Sequence, residues 1–200
     1  MLNELPYTSS IKDMPLMFSE MKRTALLLCE GKTGDEIVRL SVDENIYQME
    51  KPKRRRDVPL RMLKRLSAVK KPVLETIAYG QDSNARLGAF LSLMKADRLI
   101  FEYMYEVYSD KFRAGHTEIT DKDFMDFIER KAHNSEVVAK WSIENLTNIR
   151  GKIKNALCEA GLAKRSGSNL LIQRPIVDDE LRKLFDGSDG VYARAMLVEV

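Results

Sequence analysis

Apolar residues recur at intervals of three and four from Pro15 almost to the C-terminus, and the period-two alternation of a half-buried strand is nearly absent. A chain with this spacing has to bury its core between helices, so the expected fold class is all-α. Its 200 residues suffice for one large domain or two small ones. With 44% hydrophobic and 32% charged residues it can both form a core and stay dissolved, which argues against a disordered chain. The longest apolar run, Ala25 to Cys29, is far below the roughly 18 residues a membrane span needs, so no membrane association is expected. Met1–Ser10 lacks the basic and apolar regions of an export signal, and Cys29 and Cys158 stand apart from any disulfide framework. The expected location is the cytoplasm.

The spacing predicts a first helix from Pro15 to Glu30, stopped by Gly31, a short one over Gly34–Leu40, and a third over Asp43–Met49. A basic loop should follow Pro52, with a fourth helix starting near Asp57 and Pro59 and turning Leu63, Leu66 and Val69 inward. After a short helix to Tyr79, one long scaffold helix is expected from Ser83 to Tyr108, with its aromatic residues buried. Thr120 and Asp123 predict a capped helix start. A short helix over Glu136–Trp141, a turn at Ser142 and a long helix from Ile143 to Ala160, ended by Gly161, should come next. Ser166-Gly167-Ser168 then predicts a hairpin between Leu162–Arg165 and Asn169–Gln173. Helix, short helix, turn, long helix and hairpin follow one another in the order of a winged helix. Two subdomains are expected: residues 1–80, with a helix-turn-helix and the basic segment, and 81–200, with the long helix and the winged-helix-like part.

Between Lys51 and Lys71 ten bases face a single acid, a local net charge of +9 in a chain whose total is +3. The remainder is therefore acidic, at −6. A mildly acidic body with one dense basic segment suits a protein that must find a polyanion without being adhesive all over. A solvated helix face beside a mobile loop would carry similar charge.

At 100° per residue, Leu146, Ile149, Ile153, Ala156 and Leu157 share one side of the Ile143–Ala160 helix. The opposite side carries Glu144, Thr147, Asn148, Gly151 and Asn155, flanked by Lys152 and Lys154. Asn can pair bidentately with adenine, Thr can touch a thymine methyl, and Gly removes bulk where a backbone meets a groove. A face meant only for water would more often be filled with Glu and Lys. The hairpin adds Lys164, Arg165 and Arg174 for phosphate contact. Winged helices also dock proteins, so fold alone does not decide between DNA and a protein partner.

No catalytic set emerges, and the chain is expected not to be an enzyme and to need no cofactor or metal. Gly31-Lys32-Thr33 resembles the end of a phosphate-binding loop, but the position five residues before Gly31 is Leu26 rather than glycine. His116 and His133 have no Cys or His at metal-ligand spacing. The acid clusters Asp121/Asp123/Asp126 and Asp178/Asp179/Glu180 fall at expected helix starts, where negative charge complements the dipole. Cys158 reads as a packing cysteine.

Tyr7-Thr8-Ser9-Ser10, Glu30-Gly31-Lys32, Asp35-Glu36-Ile37, Glu44-Asn45-Ile46-Tyr47-Gln48, the basic stretch, Arg65-Leu66 and Lys152-Ile153 to Ala160-Gly161-Leu162 with its hairpin occur in an order that resembles BrxA, the small core protein of BREX bacteriophage-exclusion systems. The resemblance spans nearly the whole chain. It implies a monomeric all-α protein that binds double-stranded DNA through two helix-turn-helix elements beside positive patches and works with other BREX components in phage defence. By position these elements are Gly34–Met49 and Ser135–Ala160. RNA remains an alternative substrate on the same resemblance, and a docking adaptor is the competing class. The residues expected to meet DNA are Lys53, Arg54, Arg55, Arg56, Arg61, Lys64, Arg65, Thr147, Asn148, Lys152, Asn155, Lys164 and Arg165.

Overall fold

Capping residues and prolines cut the chain into helices joined by short connections. The computed structural model describes residues 5–185 and 187–199, so the first four residues of the Met1–Ser10 segment read above lie outside it. The architecture is mostly helical with one small three-stranded sheet. Contacts divide it into two units, Leu16–Ala96, and Met1–Pro15 with Asp97–Val200. Among the described residues no helix is long and apolar enough to cross a membrane.

The Leu16–Ala96 unit holds α1 (Phe18–Cys29), α2 (Gly34–Asp43), α3 (Pro52–Leu66), α4 (Lys71–Tyr79) and α5 (Asp82–Ala96). Gly31, at φ +87°, closes α1, and Thr33 starts α2 in a capping box with Glu36. Lys32 therefore sits in a helix-helix turn and belongs to no phosphate-binding loop. α5 is buried on nearly every side, and Gly88 lets α4 approach it closely, since a Cβ there would meet Ile77 at 3.0 Å.

Two secondary-structure expectations fail in this unit. Residues 44–50 are a loop, not a helix: Asn45 and Gln48 take left-handed conformations, Asn45 Oδ1 accepts the Met49 N–H at 2.7 Å, and the buried Tyr47 hydroxyl meets Thr24 Oγ1 at 2.6 Å. The basic segment, expected as a loop, is the first half of α3. Pro52 occupies its first turn, where no backbone N–H is needed. Pro59 lies inside the helix and cannot donate to the Arg55 carbonyl one turn earlier. The buried Ser41 hydroxyl of α2 donates to that carbonyl instead, at 2.5 Å.

The second unit begins where the expected long helix breaks. Asp97, with φ −137° and ψ 108°, leaves the helical conformation and accepts the Leu99 and Ile100 N–H groups, capping α6 (Arg98–Tyr103). A π-helical turn, Met104–Ser109, leads into α7 (Asp110–Arg113). Most of the predicted stripe is buried, including Phe101, Tyr103, Met104 and Tyr108, but Tyr105 stays exposed. Tyr103 packs on Phe124 and Phe127, and Phe101 on Tyr192.

Strand β1 (Glu118–Ile119) precedes α8 (Asp121–His133), α9 (Glu136–Ala139) and α10 (Ile143–Glu159), and strands β2 (Ala163–Ser166) and β3 (Asn169–Ile172) follow. The antiparallel sheet has the order β1-β3-β2, with Ile119 and Arg165 both opposite Leu170. Gly167, at φ +58°, takes the first position of the two-residue turn between β2 and β3, as a hairpin of this length requires. The Tyr108 hydroxyl lies 2.7 and 2.8 Å from the Leu162 and Gln173 carbonyls, one at each end of the hairpin. Helices α11 (Asp179–Leu184) and α12 (Gly190–Ala195) complete the unit.

Candidate nucleic-acid interface

Ser142 starts α10 by accepting the Asn145 N–H at 3.2 Å. The inward face is the one the spacing predicts: Leu146, Ile149, Ile153, Ala156 and Leu157 are all buried. The outward face presents Glu144, Thr147, Asn148 and Asn155, all exposed, and among the described residues nothing beyond the adjoining helix lies within 4 Å of where a Gly151 Cβ would be. Thr147 Oγ1 donates back to the Ile143 carbonyl at 2.9 Å, which commits its proton and leaves the oxygen as an acceptor. Asn155 Oδ1 accepts from Arg165 Nη2 at 2.6 Å, so a helix residue and a hairpin residue form one hydrogen-bonded pair at the surface. Lys152 is half-buried and Lys164 exposed.

The two flanking lysines part company. Lys154 is only 5% exposed and its ammonium is held by Asp121 and the Ser168 carbonyl. Together with Arg150, 3.2 Å from Asp121, it fixes α10 against the start of α8 and the hairpin turn. Asp121 is thus committed to ion pairs, and Asp123 to the Thr120 capping box and Lys111. Burial works against ionisation of Asp123, but hydrogen bonds from Lys111 and Thr120 outweigh it and hold the carboxyl below its usual range.

In α3 the helical turn sorts the bases by face. Val58, Pro59, Met62 and Leu66 are buried, whereas Lys53, Arg56, Leu60 and Lys64 follow one another at spacings of three, four and four on the exposed face. Arg61 lies half-buried on the flank of that stripe. Arg54 is half-buried, and Arg55 uses its Nε to bond the Met49 carbonyl at 3.1 Å, holding the preceding loop.

Arg65 has to be withdrawn from the expected phosphate contacts. It is 2% exposed and donates from Nη1 to the Leu16 carbonyl at 3.2 Å, inside its own unit. The expected inward set of Leu63, Leu66 and Val69 misplaced the face: Leu63 is only half-buried, Val69 lies beyond the helix end, and Met62 with Arg65 takes the interior.

Residues that the spacing did not single out also belong to these surfaces. Ile143 is 79% exposed at the first turn of α10, with the exposed Val137 on α9 before it. Leu60 interrupts the basic stripe. His116 and His133 are exposed, the latter with Nδ1 2.7 Å from the Glu129 carbonyl. Burial pushes the Cys158 thiol up and Arg165 opposes it only in part, so it remains a protonated packing group. Arg174 pairs with Glu199.

The sequence model of the BrxA family matches residues 5–188. A protein of Bacillus cereus (strain H3081.97), named BREX protein BrxA, is 34% identical over 200 residues and covers the whole of both chains. The crystal structure of an uncharacterized protein from Magnetospirillum magneticum superposes with a TM-score of 0.81 over 96% of this chain and 99% of its own, at 20% identity. That likeness concerns the fold.

Proposed function

The chain belongs to the BrxA family, and from that premise we propose that it serves BREX phage defence as a non-catalytic double-stranded-DNA-binding protein. The observation that carries this reading is the outer face of α10. Thr147, Asn148 and Asn155 are exposed on a helix whose opposite face is fully buried, with Arg165 of the hairpin bonded to Asn155 beside them. Amide and hydroxyl groups reach base edges, and a guanidinium beside them reaches phosphate. The order β1–α8–α9–α10–β2–β3 supports docking as a winged helix-turn-helix, with α10 in the major groove and the hairpin along the backbone.

The exposed stripe of α3 is the second, sequence-independent contact. Lys53, Arg56, Arg61 and Lys64 attract phosphates, and Arg54 adds to the same charge. Lys152 and Lys164 serve the same purpose next to α10. A duplex-binding assay on a library of sequences tests the reading: Asn148→Ala should change the preference among duplexes while leaving the fold intact. Failure of the wild-type protein to bind any duplex at low salt would overturn it.

The exposed Val137 and Ile143 favour a second reading, docking onto another BREX component through the entrance to α10. A pull-down with and without nuclease separates the two. A partner that survives digestion is held by protein contact, and one that is lost was bridged by nucleic acid.

A further inference from the structure

Away from the α10 face, in the unit that contains it, a pocket of about 330 Å³ is lined by Phe112 and Arg113 at the end of α7, Arg174 after β3, Arg194 on α12, and the segment Leu197–Glu199. Its volume lies at the lower end of the range that small-molecule sites occupy. Three arginines from separate parts of the chain, Arg113, Arg174 and Arg194, line it with a single acidic residue, Glu199, so the lining carries a surplus of positive charge. Arg113 and Arg194 are exposed and have no acidic partner among the described residues, while Arg174 pairs with Glu199.

The way Glu199 arrives is informative. Leu197 adopts φ +61°, the left-handed region that disfavours a branched residue, and by doing so turns the chain after α12. The Val198 N–H then bonds the Ala193 carbonyl at 2.9 Å, Val198 is buried, and Glu199 comes to rest on Arg174. A carboxylate of the chain itself thus pairs with one of the three arginines that line the pocket.

We propose that this pocket binds a phosphomonoester carried on a nucleoside, and that Glu199 is the internal anion such a ligand displaces from Arg174. Guanidinium forks match phosphate oxygens geometrically as well as electrostatically, and three of them suit a dianion better than a single carboxylate. Phe112 and Leu197 give the pocket an apolar wall for the attached base. The phosphate could belong to a free nucleotide or to the 5′ end of a DNA strand. The site is distinct from the α10 face, and it stands or falls separately from duplex binding.

Calorimetric titration of the full chain with adenosine monophosphate, adenosine and inorganic phosphate tests the proposal. Saturable binding of the monophosphate is expected, with none for adenosine and weaker binding for phosphate alone. Arg113→Ala and Arg194→Ala, both at exposed positions, should each weaken it by about tenfold, the weight of one charge-assisted contact. Glu199→Gln should tighten it by removing the competitor. Comparing 5′-phosphorylated with 5′-hydroxyl duplexes in wild type and Arg113→Ala distinguishes the two sources: a phosphate-dependent gain lost in the variant assigns the strand end, and its absence assigns the free nucleotide. No saturable binding of the monophosphate by either wild type or Glu199→Gln, or binding indifferent to both arginine replacements, would overturn the proposal.

Discussion

A guanidinium taken out of water has to find oxygen acceptors or it destabilises the fold that encloses it. Arg65 finds the Leu16 carbonyl, and its role is to hold the entry of α1 against α3. Arg65→Ala should lower stability by about 2–4 kcal/mol in denaturant unfolding, through an orphaned carbonyl and a cavity. At a matched folded fraction it should leave the salt dependence of DNA affinity unchanged. Glu102 makes the opposite kind of contribution. Burial would raise its carboxyl, but hydrogen bonds from Lys131, Arg98 and Tyr7, each 2.7 Å long, outweigh burial and hold it below the usual range. Burial and, after it, the same hydrogen bond push the Tyr7 phenol up to about 12, so it remains a donor at neutral pH. A carboxyl depressed in the folded state stabilises above its unfolded pKa, about 4.3 for Glu, and that stability is lost as pH falls through the lower folded value. Unfolding free energy measured from pH 6 down to pH 3 should therefore drop more steeply in wild type than in Glu102→Gln.

Among the elements, α3 depends on a single exchanged hydrogen bond. Pro59 removes the donor that the Arg55 carbonyl would have used, and Ser41 supplies another from α2. Ser41→Ala should cost about 1–2 kcal/mol by leaving that buried acceptor unpaired. In a Pro59→Ala background, where an N–H is restored, the cost should shrink, and a double-mutant cycle reads the difference directly. The elements that sequence exposes well are those fixed by local chemistry: the Thr120 cap, the Gly31 and Gly161 stops, and the Gly167 hairpin turn. Those it hides depend on partners far along the chain. Asp97 breaks an otherwise continuous apolar stripe by capping α6, with the Ser10 hydroxyl 3.1 Å from its other oxygen. Asn45 and Tyr47 end a helical pattern because Thr24, on another helix, takes the Tyr47 hydroxyl. Pro52 was the available signal that the basic segment is helical, since proline suits a first turn.

Across the whole molecule, the α10 face was legible because both of its sides follow from residue spacing, while the fates of its neighbours depended on the fold. Lys154 turned inward to Asp121, and Arg65 entered the interior, because each faces an acceptor that no local pattern reveals. What remains is a polar face on α10 and a basic stripe on α3, in separate units. If together they neutralise about six phosphates, affinity for duplex DNA should fall by roughly a thousandfold between 50 and 200 mM salt. The decisive measurement is that salt slope for wild type beside Lys53→Ala/Arg56→Ala/Lys64→Ala. A steep wild-type slope that flattens by about three phosphates in the variant agrees with the account. A wild-type affinity indifferent to salt, or a slope the three replacements leave untouched, contradicts it.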